Sequence, residues 1–384
     1  MTSTVQTVDL IGPQFLHFLH TLPHGLATRI HILTDSDADG LPAAAILVRA
    51  LDLAGYTAVT AEVRLKTESA WTPAVLDRLR ARAPQALFIL DLGARPDPLL
   101  PGVPTLLLDH HKPGGTPPGA TLITAYRETG PGEDAKEIPT TGLMAFRCAQ
   151  ALIPDQAKAL LWLAAISLLS DLGDKAPFPE LAAAKKLFSG GALRDLTSLL
   201  NAPRRSATGD ASAALTLLLL ADSPKQALKD SDPAFTALRD QLLVAKAEVG
   251  DALALALARK LPPRFSTAVR DELGADLVAI RMDTPCQVHP LVAQQWRARF
   301  PKSVIFGVNT GFRPGWVHFS GRAPAGVNLI QFLTNHRPLE ADSAYGNGHD
   351  QASGGALPTE VWNRFAASLG FGPELQVDIP PEPS

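Results

Sequence analysis

Thr34-Asp35-Ser36-Asp37-Ala38-Asp39-Gly40 follows the apolar run Arg29–Thr34, which reads as a buried strand. It precedes a helix over Pro42–Ala54, with proline in the first turn and Gly55 just past the end. The alternation continues with a strand over Ala58–Val63, an amphipathic helix over Pro73–Arg82, and continuous apolar strands over Ala86–Leu90 and Pro104–Leu108. Continuous apolar strands separated by helices predict an α/β fold with a parallel sheet covered on both faces. In such sheets ligands gather at the carboxyl ends of the strands. Asp35–Asp39, Asp91 and Asp109-His110-His111 each directly follow a strand, so three distant stretches of sequence should converge on one sheet edge. A fourth acidic position, Asp171, ends an apolar helix over about 155–170, where the helix dipole disfavours a carboxylate.

Carboxylates gathered at the ends of buried elements repel one another and lose hydration, so a fold keeps them cheaply only around cations. Several Asp, a His pair and no Cys suit Mn²⁺ or Mg²⁺ better than structural zinc. A calcium EF-hand loop also begins D-x-D-x-D-G, but its twelfth position must be Glu, and here it is Ile46. Taken singly, each motif has a plain structural reading: a solvated acidic turn, a capping Asp, a chance His pair. Their conjunction favours a metal centre. In that centre Asp91 is the expected bridge between ions, and His110 a ligand through its neutral imidazole. His111 suits phosphate contact or protonation of a leaving oxygen. Asp109 either ligates or orients His110.

At 384 residues the chain is expected to form two domains. After Gly114 it reads as loop-rich, with Gly/Pro clusters at 113–119 and 130–132, and then as helical from about 141 to 222. Asp232–Lys260 reads as one long connecting helix. A second α/β unit follows, with strands Asp276–Met282, Ser303–Asn309 and Trp316–Ser320 and helices His289–Phe300 and Asn328–His336. Arg322, after the last of these strands, could clamp a phosphate in two places. Gly346 and Gly348 allow a backbone nest for an anion, with His349 as an added donor. The tail from Pro373 reads as disordered. A net charge of −3 argues against a broad duplex-binding surface but not against a local anion pocket. No apolar stretch is long enough to span a membrane. Two lone cysteines and no visible secretory signal point to a reduced, cytoplasmic setting.

The motifs Thr34–Gly40, Asp91, Asp109-His110-His111 and Asp171 resemble the four successive motifs of the DHH phosphoesterase superfamily. Ser320-Gly321-Arg322 and Gly346-Asn347-Gly348-His349 resemble the DHHA1 domain that accompanies it in RecJ-like and nanoRNase-like proteins. The resemblance implies a parallel-sheet DHH domain (1–225), a helical connector (226–263) and a smaller α/β DHHA1 domain (264–372), with the tail at 373–384. It implies two Mn²⁺ ions, with Mg²⁺ an alternative, held by Asp35, Asp37, Asp39, Asp91, His110 and Asp171. The substrate lobe would use Arg322, Gly346, Gly348 and His349. The expected activity is exonucleolytic hydrolysis of short single-stranded RNA or DNA oligonucleotides or dinucleotides. A cyclic-dinucleotide or 3′-phosphonucleotide phosphoesterase is the alternative, and a non-catalytic scaffold a third reading; a homodimer is compatible with each. Two departures stand out. The first motif has the RecJ form, although His31 lies four residues before Asp35, where a shifted register would use it. Asn347 also stands where the family usually has Gly.

Overall fold

The computed structural model describes residues 10–126, 138–257, 263–341, 345–346 and 348–378. The chain forms two compact units, Met1–Arg204 with Thr208–Val244 and Arg205–Ala207 with Ala245–Ser384. In the first unit the order is α1 (Ile11–His20), β1 (Ile30–Thr34), α2 (Gly40–Leu53), β2 (Val59–Val63), α3 (Pro73–Ala81), β3 (Ala86–Leu90), β4 (Thr105–Asp109) and β5 (Ala120–Thr124). Helices α4 (Thr141–Leu152), α5 (Leu161–Asp171), α6 (Pro179–Phe188), α7 (Gly190–Leu200), α8 (Ser212–Leu220) and α9 (Pro224–Lys229) follow. The long helix α10 (Pro233–Leu257) crosses the division between the units.

The five strands form one sheet in the order β2-β1-β3-β4-β5, and every pairing is parallel. Its apolar runs divide by the two-residue period of a strand. Ile30, Ile32, Phe88, Leu90, Leu106 and Leu108 enter one core with residues of α2, α4 and α5. Leu33, Leu87, Ile89 and Leu107 enter the other with Val75 and Leu79 of α3. Both faces are therefore buried, which is why these runs carry no alternation in polarity. The fifth strand was not visible in the sequence: Ala120–Thr124 lies in the stretch read as loop, close behind its first Gly/Pro cluster, while the cluster at 130–132 lies outside the described residues.

The second unit contains β6 (Arg264–Ser266), α11 (Arg270–Leu273), β7 (Leu277–Met282), α12 (His289–Arg299), β8 (Val304–Arg313), β9 (Trp316–Arg322), α13 (Leu329–Asn335), β10 (Gly348–His349), β11 (Ala352–Pro358) and α14 (Thr359–Ser368). Its sheet runs β10-β11-β9-β8-β7-β6; β7 and β8 are parallel and the other pairs antiparallel. One correction is that Arg322 is the last residue of β9 rather than following the strand. Gly354 and Gly355 lie within β11. Glycine is needed at 354 because a Cβ there would come within 2.3 Å of the Phe319 carbonyl oxygen. The expected onset of disorder at Pro373 is also wrong for its first residues. Leu375 is fully buried, the Trp362 indole donates to its carbonyl at 2.9 Å, and Asn363 and Val377 exchange two bonds. Both cysteines are free and buried, and no described helix is long and apolar enough to cross a membrane.

One charged network on the first sheet tests the assignment of its faces. His31 shares a face with Leu33, where its Nδ1 lies 2.8 Å from Thr60 Oγ1 and its Nε2 3.6 Å from Glu62. Arg78 and Arg82 reach Glu62 at 2.9 and 2.6 Å. Burial alone would raise the Glu62 pKa, but His31, Arg78 and Arg82 outweigh it and bring it down to about 2. With an ordinary value of 4.5, the stabilisation is complete above pH 4.5 and is lost as the pH falls toward about 2. Glu62→Gln should therefore cost about 1–2 kcal/mol at pH 7, allowing for solvent screening. Urea denaturation between pH 7 and pH 4 should show the gap to the parent protein narrowing below about pH 4.5. A gap independent of pH would refute the network.

Candidate metal centre

The turn after β1 folds back on itself through its own carboxylates. Asp37 Oδ1 accepts from the backbone N–H groups of Asp39 (2.9 Å) and Gly40 (3.0 Å), which caps the start of α2. Thr34 Oγ1 donates to the Gly40 carbonyl at 2.6 Å, and the Ala38 N–H is taken by Asn201 Oδ1 at 3.1 Å. These bonds turn Asp39 inward, where it is fully buried. Its Oδ1 accepts from the Gly142 N–H (2.7 Å) and Ser167 Oγ (2.5 Å), and its Oδ2 from the Thr141 N–H (2.9 Å). The carboxylate thus sits at the N-terminus of α4, where unpaired N–H groups favour negative charge. Burial and then the charge of Asp37 nevertheless push its pKa up to about 7.

Asp91 leaves β3 with φ at 62°, a conformation that Asp tolerates better than most residues. It is 4% exposed and accepts from Thr141 Oγ1 at 2.8 Å. Burial, with Asp39, Asp37, Asp109 and Asp171 facing it, holds its pKa well above the ordinary value. Asp171, at the end of α5, is pushed to about 7 by burial and then by Asp39 and Asp37. The His110 ring stands among them. Its Nε2 lies 3.6 Å from Asp39 Oδ2, 3.5 Å from Asp91 Oδ1 and 3.6 Å from Asp171 Oδ2, and is buried with no hydrogen-bond partner. Burial, then the neighbouring His111 charge, lowers its pKa and keeps the ring neutral.

His111 is different. Its side chain is 57% exposed, and its Nδ1 lies 3.0 Å from Asp109 Oδ1 and 3.7 Å from Asp91 Oδ1. Burial of the ring works against charge, but Asp109 outweighs it and raises the pKa to about 9. The Asp109 carboxylate also accepts from the His111 N–H (2.7 Å) and the Gly93 N–H (2.6 Å). The structure corrects one expectation here: the hydrogen bonds of Asp109 go to His111, not His110.

The predicted positions are brought together in three overlapping groups: Asp35, Asp37 and Asp91; Asp91, His110 and His111; Asp39, His110 and Asp171. Asp91 belongs to two of them and His110 to two. Carboxylates of which Asp39, Asp91 and Asp171 are raised by burial and by neighbouring carboxylates, around an imidazole nitrogen without a hydrogen-bond partner, fit hard or borderline divalent ions. His31 belongs to none of the groups, so the shifted register has no support in the geometry. In the second unit Arg322 binds Ser320 Oγ (2.9 Å), the Gly321 carbonyl (2.8 Å) and Gln294 Oε1 (3.2 Å). Gly346 and Gly348 both have positive φ, at 79° and 131°. Asn347 and the His349 side chain lie outside the described residues.

Several residues of the centre were not found in the sequence. Arg64, immediately after β2, contacts Asp35 Oδ1 at 2.5 Å; its strand-end position was a signal of the same kind as the carboxylates. Arg204 contacts Asp37 Oδ2 at 2.8 Å, and nothing in its local sequence announces it. Ser167 lies one helical turn before Asp171, on the same face.

No protein-family model matches the chain. Over 103 residues it is 32% identical to the single-stranded-DNA-specific exonuclease RecJ of Escherichia coli K12, covering 25% of this chain and 18% of that protein. The fold matches RecJ of Thermus thermophilus, solved with Mn²⁺, with a TM-score of 0.63 and 22% identity over 95% of this chain and 54% of that one. It also matches the DHH domain of a member of the s1p family of ribosomal proteins, with a TM-score of 0.66 and 13% identity over 98% and 93% of the two chains. The chain thus spans about half the length of the Thermus protein.

Gly142 provides a direct check on the cradle. A Cβ there would meet Ser167 at 2.5 Å and Asp39 Oδ1 at 3.2 Å. Gly142→Ala should destabilise the protein by about 1–3 kcal/mol in urea denaturation. Parental stability in the variant would show that the approach of α4 to α5 is not tight. The chain has the fold of the Thermus RecJ and of that DHH domain.

Proposed function

We propose that the chain is a Mn²⁺-dependent phosphodiesterase that removes nucleotides from the ends of short single-stranded oligonucleotides. The observation that carries this reading is the convergence of Asp39, Asp91 and Asp171 around the unpartnered Nε2 of His110, with Asp35 and Asp37 grouped on the Asp91 side. The likeness to a protein named as a single-stranded-DNA exonuclease, and to a RecJ solved with Mn²⁺, supports the substrate class and the ion. When bound, two divalent ions held by Asp35, Asp37, Asp39, Asp91, His110 and Asp171 would supply Lewis-acid polarisation of the phosphate and a water acidic enough to attack at neutral pH.

The chain's own residues do the rest. Thr141, Ser167 and the N-terminus of α4 fix Asp39 and Asp91 so that the donors need not reorganise. Asp109 engages His111 at Nδ1, so the proton for transfer is the one on Nε2. As the oxygen of water bonds to phosphorus and the bond to the leaving oxygen breaks, His111 gives that proton to the leaving oxygen. In the second unit the Arg322 guanidinium, held by Ser320, Gly321 and Gln294, is free of a bonded carboxylate among the described partners and suits a nucleotide phosphate. The Gly346 and Gly348 backbone, with His349, completes that subsite.

Asp91→Ala should reduce Mn²⁺-dependent hydrolysis to background with an unchanged circular dichroism spectrum; turnover in the purified variant would sink the bridging role. His111→Ala should lower kcat by about 10²–10⁴-fold while Mn²⁺ binding persists. A labelled short oligonucleotide, a cyclic dinucleotide and a 3′,5′-bisphosphate nucleotide, compared with Mn²⁺, decide the substrate. Product shortening of the oligonucleotide supports exonuclease action, turnover of only one of the other two assigns the alternative, and no turnover of any favours a scaffold.

A further inference from the structure

The candidate centre is not electrically uniform. At one end, Asp39 and Asp171 face His110 Nε2, and no guanidinium is bonded to either carboxylate among the described contacts. At the other end, Asp35, Asp37 and Asp91 share their space with two guanidiniums. Arg64 Nε lies 2.5 Å from Asp35 Oδ1, and Arg204 Nη1 lies 2.8 Å from Asp37 Oδ2. The other Asp37 oxygen is taken by the N–H groups of Asp39 and Gly40. Asp37 Oδ1 is thus taken by two donors, and a cation reaching Oδ2 must share it with the Arg204 guanidinium or replace it. Arg204 and Arg64 are 26% and 22% exposed in their side chains, and Arg204 Nε is buried without a partner. The Arg204 guanidinium bonds to Asp37, lies within electrostatic reach of Asp171 and leaves its Nε without an acceptor, so it is incompletely held and another cation can compete with it.

We propose that Arg64 and Arg204 are built-in occupants of the Asp35/Asp37/Asp91 end, so that the centre loads its two ions unequally. This rests on the two-ion reading above. The first ion enters the Asp39/His110/Asp171 end, where no guanidinium is bonded to a carboxylate and the imidazole Nε2 has no hydrogen-bond partner. The second competes with both guanidiniums at the other end, because positive charges a few ångströms apart repel strongly at a partly buried site. Arg64 and Arg204 are positioning residues in this scheme: they keep Asp35 and Asp37 in place while the end is empty, and they set the ion concentration at which it fills.

Calorimetric titration of the metal-stripped chain with Mn²⁺, with free Mn²⁺ counted by electron paramagnetic resonance, tests the proposal. The parent protein should bind two ions in steps that differ by at least tenfold in affinity. Arg204→Met should tighten the weaker step by about tenfold or more and leave the stronger step within about twofold. Arg64→Met should act in the same direction, and Arg204→Lys, which keeps the charge, should leave the weaker step weak. Thermal melting identifies any variant that fails to fold, and in that event the other arginine carries the test. Two steps of equal affinity in the parent, or a weaker step unchanged or weakened in both Met variants, would overturn the proposal while leaving the two-ion reading standing. A parent protein that binds no Mn²⁺ would instead overturn the two-ion reading itself.

Discussion

A fully buried carboxylate at the start of a helix organises the first unit. Asp39 accepts from two N–H groups of α4 and from the hydroxyl of Ser167 on α5, while the turn that carries it closes β1 onto α2. One side chain thereby links the sheet edge to two helices that arrive more than 100 residues later in the chain. These bonds meet much of the desolvation cost, yet they do not cancel the charge of Asp37 beside it. The same contact that ties the elements together thus leaves negative charge facing Asp91 and Asp171, whose own pKa values Asp39 and Asp37 help to raise.

The sheet was legible because parallel strands buried on both faces write themselves as unbroken apolar runs. Ala86–Leu90 was read with the bounds the structure gives, and Asp91 was placed at a strand end from that run alone. The convergence of the acidic clusters needed only the rule that strand ends share an edge. What the sequence concealed was of two kinds. Short strands next to glycine and proline, such as Ala120–Thr124, or built around Gly354-Gly355, lack the apolar density that marks a strand, and their register is set by a neighbour. Partners that arrive from far away leave no local trace: Arg204 meets Asp37 across 167 positions, and Asp109 chose His111 over His110 through the direction of a single ring.

The two units treat cationic side chains differently. In the first, Arg64 and Arg204 lie against carboxylates, so their charge is spent internally. In the second, Arg322 is held by a hydroxyl, a carbonyl and an amide oxygen, and burial lowers its pKa because none of these neutralises it. A chain of net charge −3 can present positive potential to an anion in this way without a basic surface, because unneutralised charge at low exposure counts for more than many solvated lysines.

The titration of the centre connects its stability to its chemistry. Without a cation, Asp39 and Asp171 both sit near pH 7, raised by burial first and by neighbouring carboxylates second. A carboxylate must be ionised to bind a cation, so under the two-ion proposal ion uptake near neutral pH would release protons and affinity would rise with pH through that range. Asp37 stands apart, because Arg204 and two N–H groups keep it ionised despite its burial. Asp91, shared between the two ends, is by contrast held well above the ordinary carboxylate range, so both ends contain a carboxylate that a proton can occupy. Under the two-ion proposal an incoming ion would compete with protons at both ends, and with bonded guanidiniums only at the end of Asp35 and Asp37.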